Sequence, residues 1–372
     1  MHVHTMWSDG NDFPENVVKW YKDNGYDFLL FADHNVVLKG EFWRDVPKDS
    51  PALERCRKLF GENWLHTREG NNGNVSVRLR TLDELRRMFE EPQKFLLMQG
   101  MEVDYSEYGT HYNTFYDDRR FADIEQNDAD RTRKVHAIVR KDMLNHPNLG
   151  WAATAEQIAE MELRFFEVYN CFDPPGNHGD EFHPSTDRMW DIALALRLNK
   201  NGQLLFGTAT DDSHNYFGAG AAPGCGWVMV NCPKLDGKEI LDAMERGDFY
   251  ASTGVALRKL ARLDNTISIE IEPQDGVQYV TEYIGTRRGF NSESSPTLDA
   301  DGNLLTNVTR RYSPQIGEVL FRSNELSSSY SFTGDELYVR AKVTSTAIHT
   351  EPLTGTSLGD KRCAWIQPMT PA

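Results

Sequence analysis

The chain has 372 residues, 39% hydrophobic and 26% charged, with a formal net charge of −16. This length exceeds that of one typical hydrophobic core, which predicts a large domain and a smaller one. An acidic surface repels phosphate backbones, so we expect no nucleic-acid partner, although bound metals could still attract a small phosphate ester.

Two further features of the composition exclude classes of protein. No apolar stretch approaches the roughly 20 residues of a membrane span, so no spanning segment is expected. The five cysteines include no Cys-x-x-Cys pair, which predicts buried thiols rather than a zinc ribbon or a disulfide framework. No signal peptide is recognisable. A buried first strand normally begins before residue 2, however, which leaves open a removed leader and either a cytoplasmic or an exported protein. Oligomeric state is not predicted.

The first residues already contain candidate metal ligands. His2 and His4 flank Val3, and side chains of a strand repeat with period two, so both imidazoles should project from one face. Imidazoles and carboxylates converging at a strand end are ligands for a divalent metal. The alternatives are two surface histidines and, for Asp9 in Ser-Asp-Gly, an ordinary turn.

Alternating helices and strands follow along the chain. Pro14 suits a first helical turn, Thr81 opens a capping-box pattern, and residues 154–157 start another helix. We predict helices over 14–24, 81–90, from 154, 185–199 and 239–246, and strands over 26–32, 95–102, 165–169 and 204–209. This alternation predicts a parallel sheet, and the number of units predicts a barrel.

In such a barrel the chemistry lies at the carboxyl ends of the strands. His34, Glu102, Asp212 and His214 all fall at predicted strand ends. A buried, unpaired Glu102 would be costly, and a bound metal would remove that cost. Asp212 and His214 have the alternative role of capping a helix.

After residue 254 the pattern changes to period two. Strands are predicted over 266–271, 277–280 and 337–343, and residues 291–297 and 327–331 are interpreted as loops or hairpin tips. We therefore predict a barrel domain over 1–254 and a small all-β sandwich over 255–372.

The order of the candidate ligands resembles that of the polymerase and histidinol phosphatase (PHP) superfamily. The residues that carry this resemblance are His2, His4, Asp9, Asp33, His34, Glu102, His111, His146, Asp212 and His214. Residues 166–170, 187–191, 224–227, 249–254 and 364–368 look like the CehA/McbA subfamily. The resemblance implies a distorted seven-stranded (β/α)7 barrel with two or three divalent ions, and it covers nearly the whole chain. Taken singly, His111 has the alternative of a loop histidine and His146 that of a turn residue.

The resemblance also implies how the ligands divide. His2, His4, Glu102 and Asp212 would hold a first ion. Glu102 would bridge to a second ion held by His111 and His146, and Asp9, His34 and His214 would hold a third. Such mixed imidazole and carboxylate sets suit Zn, Mn or Fe. Asp211 is an alternative to Asp212, although the Asp-x-His spacing favours Asp212.

Four other residues are candidates for contact with substrate. Asn35 and Asn113 stand beside proposed ligands and either donate to substrate or orient loops. Arg188 is either a phosphate clamp or a surface arginine paired with a neighbouring aspartate. His183 is a candidate acid for the leaving group.

These patterns predict a metal-dependent hydrolase of a small-molecule ester. A hydroxide that bridges two metals would be the nucleophile, and the ions would neutralise charge in the transition state. We expect a phosphoesterase acting on a small organic phosphate mono- or diester. One alternative is a hydrolase of carboxylic or carbamate esters with the same metals. A second is a binding protein with an idle barrel and a ligand-recognising β-domain.

Overall fold

The computed structural model describes residues 1–105, 109–115 and 142–371, and it has a mixed α/β architecture. The α-helices of these ranges are α1 (Pro14–Asp23), α2 (Pro51–Phe60), α3 (Leu82–Phe89), α4 (Ala155–Glu160), α5 (Thr186–Asn199) and α6 (Gly237–Glu245). Short 3-10 turns occur at Asn71–Gly73, Leu149–Trp151 and Pro174–His178. Among the helices of the described ranges, none has the length and apolarity needed to cross a bilayer.

The strands fall into a first half that surrounds the candidate ligands and a second half that follows them. The first strands are β1 (Phe28–Phe31), β2 (Trp43–Val46), β3 (Thr67–Glu69), β4 (Val75–Arg78), β5 (Leu96–Tyr105), β6 (Thr110–Phe115), β7 (Met143–Leu144), β8 (Phe165–Asn170), β9 (Phe206–Thr210), β10 (Trp227–Val230) and β11 (Phe249–Ser252). The later strands are β12 (Leu257–Leu263), β13 (Thr266–Ile271), β14 (Tyr279–Arg287), β15 (Ser294–Ser295), β16 (Arg311–Tyr312), β17 (Glu318–Ser323), β18 (Ser327–Ser331), β19 (Glu336–Thr350) and β20 (Ser357–Met369).

One six-stranded sheet forms a curled half-barrel in the order β1-β5-β6-β7-β8-β9. The pairs β1–β5, β7–β8 and β8–β9 are parallel, and β6 runs antiparallel to both of its neighbours. The N-terminal segment forms hydrogen bonds with the residues that directly follow or lie shortly after the two edge strands, β1 and β9. The Ala32 amide, after β1, donates to the carbonyl of Val3 (2.9 Å), and the His4 amide donates to the carbonyl of Ser213, after β9 (3.0 Å).

The local signals for helices are confirmed. In α3 the Thr81 hydroxyl accepts from the Glu84 amide while the Glu84 carboxylate accepts from the Thr81 amide, and Thr154 and Gln157 form the same box at α4. The Ser185 hydroxyl caps α5. These caps satisfy amide groups that a helix leaves free and therefore fix where each helix begins. The three helices begin within one residue of the predicted positions.

Two antiparallel sheets form the second half of the structure. Their strand orders are β10-β11-β20-β19-β14-β17 and β12-β13-β18. Apolar side chains of both sheets, such as Ile269 of β13 and Val343 of β19, share one core. Because β10 and β11 precede residue 254 and β11 pairs with β20, one sheet contains strands from both sides of the predicted domain boundary.

Two parts of the sequence interpretation differ from the structure. Residues 327–331, interpreted as a loop or hairpin tip, form strand β18 paired with β13. The side chains of β18 alternate between more and less exposed positions, but the run of serines hides this alternation in the sequence. The Tyr330 ring packs beside the Tyr283 ring, with 5.8 Å between ring centroids. Helix α2 and the small sheet β2-β4-β3 were not predicted, because residues 43–78 are rich in charged side chains.

Candidate metal centre

The structure brings the nine predicted ligands together at the end of the half-barrel where its parallel strands have their carboxyl ends. His34 forms an isolated bridge with Glu102 near the end of β5, and Asp212 and His214 follow β9. His111 lies on β6, and His146 follows β7. Among the described residues, three overlapping groups have ligand atoms within 4.8 Å of one another, close enough to hold metal ions.

The first group, His2, His4, Glu102 and Asp212, is fully buried. The Nε2 atoms of both histidines lie 3.1 Å from Glu102 Oε2 and 3.2 Å from Asp212 Oδ1. Metal bonds of about 2.0–2.2 Å place neighbouring ligand atoms about 2.8–3.6 Å apart across octahedral and tetrahedral sites. The observed spacing therefore fits ligands arranged around one ion.

Three atoms of this group lack hydrogen-bond partners within the described part of the chain. They are His2 Nε2, His4 Nε2 and Asp212 Oδ1. Buried polar atoms in proteins are nearly always partnered, and leaving one unpaired costs about 1–3 kcal/mol. A divalent cation between these atoms would satisfy all three at once. The residues present thus fit a metal.

The charges of this group also favour a cation. Burial opposes a charged His2, yet Asp212 and Glu102 raise its pKa well above the ordinary value, and His4 is shifted in the same direction. Burial likewise opposes ionisation of Glu102, but His2 and the other imidazoles lower its pKa strongly. The protonated imidazoles compensate the carboxylates, and a bound ion would take the place of their protons.

Glu102 links the first group to a second one. Its Oε1 atom lies 3.1 Å from His111 Nδ1 and 3.2 Å from His146 Nε2, whereas Oε2 faces His2 and His4. Two oxygens aimed at different imidazoles suit a carboxylate that bridges two ions. His34 Nδ1 lies 3.3 Å from Glu102 Oε2, so His34, Glu102 and His111 also form a group close enough to hold an ion.

The third group lies at the mouth of the centre and contains His4, Asp9, His34 and His214. Asp9 Oδ1 lies 3.4 Å from His214 Nε2, and Asp9 Oδ2 lies 3.7 Å from His34 Nε2. The Asp9 side chain is 55% exposed. Burial opposes its ionisation, but His214, His4 and His34 lower its pKa. This group contains Asp9, the most exposed of the nine ligands.

Sequence reasoning missed several residues that contact the ligands, and Asp104 and Asn145 are two of them. Asp104 Oδ1 lies 2.6 Å from His34 Nδ1, and the Asn145 side-chain amide donates to Glu102 Oε1 (2.7 Å). Asp104 stands two residues after Glu102 on β5 and therefore on the same face, which is a signal that the sequence contains. Asn145 precedes His146 directly, and nothing in its own sequence context marks it.

Asn35 and Asn113 are engaged by neighbouring residues. The Asn35 side-chain amide donates to Asp104 Oδ2 (3.1 Å), and the Asn113 side-chain oxygen accepts from Asn145 Nδ2 (3.0 Å). Asn35 has a positive φ of 51°, a conformation that asparagine tolerates better than most residues. These contacts support the alternative in which both asparagines orient the ligand loops.

Among the described residues, the contacts of Arg188 and His183 are with residues other than the nine ligands. In the described ranges, the Arg188 guanidinium donates to the carbonyls of Tyr312, Ser313 and Ile316. Its neighbours Asp187 and Asp191 pair instead with Arg340 and Lys342. A phosphate clamp is therefore not supported, because carbonyl oxygens already occupy the guanidinium.

His183 is held in a separate place. Its ring stacks on Trp151 with 3.9 Å between centroids, and its Nδ1 lies 2.8 Å from Asp180 Oδ1. At the mouth of the candidate centre lies Phe172 instead, a residue that is 43% exposed. Its ring packs edge-on against His214, with 5.2 Å between ring centroids. Phe172 is thus a better-placed candidate for contact with substrate than His183.

No family model matches the chain, and no curated protein matches it. The function is therefore inferred from the geometry of the centre.

Proposed function

We propose that this chain is a metal-dependent hydrolase of the PHP type that cleaves a small organic phosphate mono- or diester. Two or three Zn, Mn or Fe ions would act at the nine-residue centre. The observation that carries the proposal is the set of three buried, unpartnered ligand atoms on His2, His4 and Asp212. A divalent ion would satisfy all three atoms and would remove the cost of burying them.

The proposed fold is a distorted (β/α)7 barrel over residues 1–254 with a β-sandwich over 255–372. The barrel is supported by the N-terminal segment, whose bonds to Ala32 and Ser213 add a seventh strand position between β1 and β9. The sandwich is supported by the core that the two antiparallel sheets share. β11 would belong to both units, since it pairs with β20.

The residues of the centre would have distinct tasks in hydrolysis. Bound ions would supply an activated water and positive charge for the oxygens of the ester. Glu102 would hold the buried and the outer groups at fixed spacing through its two oxygens. Asp9 and His214 lie at the open side, so substrate would enter there and meet the Phe172 ring.

The proposal is tested by metal analysis and an ester panel on one preparation made without chelators. We expect at least two divalent ions per chain and turnover of phosphate esters that added Mn or Zn restores after stripping. Fewer than two ions, unrestored by added metal, would contradict the metal centre. Turnover of aryl or carbamate esters alone would instead assign the same centre to attack at carbon.

A binding protein with an idle barrel is the remaining alternative. It predicts bound metal but no turnover of any ester class. His349, a buried histidine whose Nδ1 lies 3.1 Å from the Tyr169 hydroxyl, offers a control outside the centre. Its replacement by glutamine should leave metal content unchanged, whereas His34→Ala should reduce it.

A further inference from the structure

One buried carboxylate outside the predicted ligand set contacts several ligand segments. Glu167 lies on β8 and is fully buried. Its Oε1 lies 2.7 Å from His2 Nδ1 and accepts from the Thr210 hydroxyl (2.7 Å). Its Oε2 accepts from the His146 amide (2.7 Å) and from the Asn170 side chain (2.6 Å). Each oxygen of Glu167 therefore has two donors.

The contact with His2 determines which imidazole nitrogen faces the centre. A carboxylate only accepts hydrogen bonds, so the proton of the pair lies on His2 Nδ1. When an ion displaces the remaining proton of the ring, the lone pair of Nε2 would face the side of the centre where Glu102 Oε2 and Asp212 Oδ1 lie, 3.1 and 3.2 Å away. Partners of this kind fix the tautomer and orientation of metal-binding histidines in proteins.

Glu167 also holds the segments that carry two other ligands. His146 has a φ of 24°, a strained value for a residue with a side chain, and its amide donates to Glu167. The Asn170 amide that donates to Glu167 also lies 3.1 Å from Asp212 Oδ2. One carboxylate thus connects His2, His146 and Asp212.

We propose that Glu167 is a positioning residue that sets the metal affinity of the buried part of the centre. This inference rests on the proposed metal centre. It identifies a residue that binds no ion itself yet orients ligands of two ion positions. Within the described ranges, Asp9, His34 and His214 form no hydrogen bond or ion pair with Glu167, so these three ligands at the mouth should depend on it little.

The test is the variant Glu167→Gln. If the new NH2 group faces the His146 amide and the Asn170 side chain, donors face donors and those hydrogen bonds are lost. If it faces His2 Nδ1, it can donate to that nitrogen only when the imidazole proton moves to Nε2, the tautomer that cannot bind an ion through Nε2. We expect the affinity for the tightest-bound ions to fall about 10–100-fold, as for other partners of metal-binding histidines. Zn titration against a competing chelator measures this change, and Co²⁺ absorption spectra report any altered ligand geometry.

Glu336→Gln is the matched control. Glu336 is equally buried and accepts from Tyr330, from the amide and hydroxyl of Thr333, and from the Gly334 amide, far along the chain from the ligands. Its loss should lower thermal stability without changing metal affinity. Should Glu167→Gln fail to fold, Asn170→Ala keeps the carboxylate and is expected to weaken Zn binding by a smaller factor.

The outcomes separate the two proposals. A wild-type protein that binds fewer than two ions contradicts the metal centre itself. A wild-type protein that binds them, with folded Glu167→Gln equal to it in affinity and Co²⁺ spectrum, overturns only the role of Glu167. Weaker binding in Glu167→Gln but not in Glu336→Gln supports that role.

Discussion

Glu102 is the residue with the widest contacts in the candidate centre. Its two oxygens lie within 3.3 Å of nitrogens on His2, His4, His34, His111 and His146. We expect Glu102→Ala or His34→Ala to lower kcat at least about 100-fold while the fold persists, since a lost ligand costs more than a lost ligand partner. Steady-state kinetics and circular dichroism of each variant measure this, and wild-type turnover in either would refute it.

The raised pKa values of His2 and His4 give a pH-dependent prediction for the ion-free protein. Burial opposes the charged imidazoles, but Asp212 and Glu102 raise both pKa values. This contribution to stability is complete below the unfolded histidine pKa of about 6.5 and is lost as pH rises through the raised values. Bound ions do not lose their charge in this way.

The melting temperatures of ion-free and ion-loaded protein should therefore diverge as pH rises from about 6 to about 9. Acid should act in the opposite direction and release the ions, because protons compete for the imidazoles. Calorimetry of both forms across this range measures the difference. A constant difference would show that the imidazoles are not protonated in the ion-free protein.

The residue types, their order and the family resemblance together pointed to nine residues that the structure brings close to one another. His2, Glu102 and Asp212 could be placed together because strand ends of a parallel sheet meet at one edge. The position of strand ends could not show whether Arg188 contacts a phosphate or whether His183 is the acid for the leaving group. The partners of Arg188 lie more than 120 residues later, at Tyr312, Ser313 and Ile316. A sequence pattern does not reveal contacts of that range.

At the scale of elements, helix α5 is fastened to the C-terminal strands by buried charges. The Arg340 guanidinium is fully buried and bonds both Asp191 oxygens (2.8 and 2.7 Å). Removing one partner of a buried pair leaves an uncompensated charge. Helix α5 was predicted correctly from its own residues, but this attachment depends on β19, which was recognised only as a strand of the tail.

Asp191→Ala should therefore destabilise the protein by about 3 kcal/mol, the lower end of the range for a broken buried pair, because Asp187 remains 3.2 Å from Arg340. Urea unfolding measures this change. The control is Lys19→Ala, which breaks an exposed pair with Asp23 on α1 and should cost no more than about 0.5 kcal/mol. Equal effects of the two variants would contradict a structural role for the Arg340–Asp191 pair. Metal content should not change in either.

At the scale of the whole molecule, the two halves share side chains and a sheet. Trp365 of β20 belongs to the same core as Phe166 and Trp190, and the Gln367 side chain bonds both backbone groups of Gly207 on β9. Composition and periodicity predicted that alternating helices and strands give way to strands alone after about residue 254. They did not predict that β11 and β20 would pair across that point.

A chain ending at residue 254 should for this reason be insoluble. Deletion would expose the edge of β11 and the apolar side chains that β20 covers, and unpaired edges promote aggregation. The soluble fraction on expression and the metal content of any soluble product measure the effect. A soluble truncated protein with full activity would show that the C-terminal strands do not support the barrel.

The position of β20 has a consequence for how the chain reaches this structure. Of the strands in its sheet, β20 comes last in sequence yet lies inside the sheet, between β11 and β19. Its contacts with β11 join residues more than 100 positions apart. Such non-local pairing slows folding, and domains are completed only after their last element leaves the ribosome. During synthesis the edge of β11 therefore stays unpaired until β20 has left the ribosome. Chaperones would be most needed in that interval.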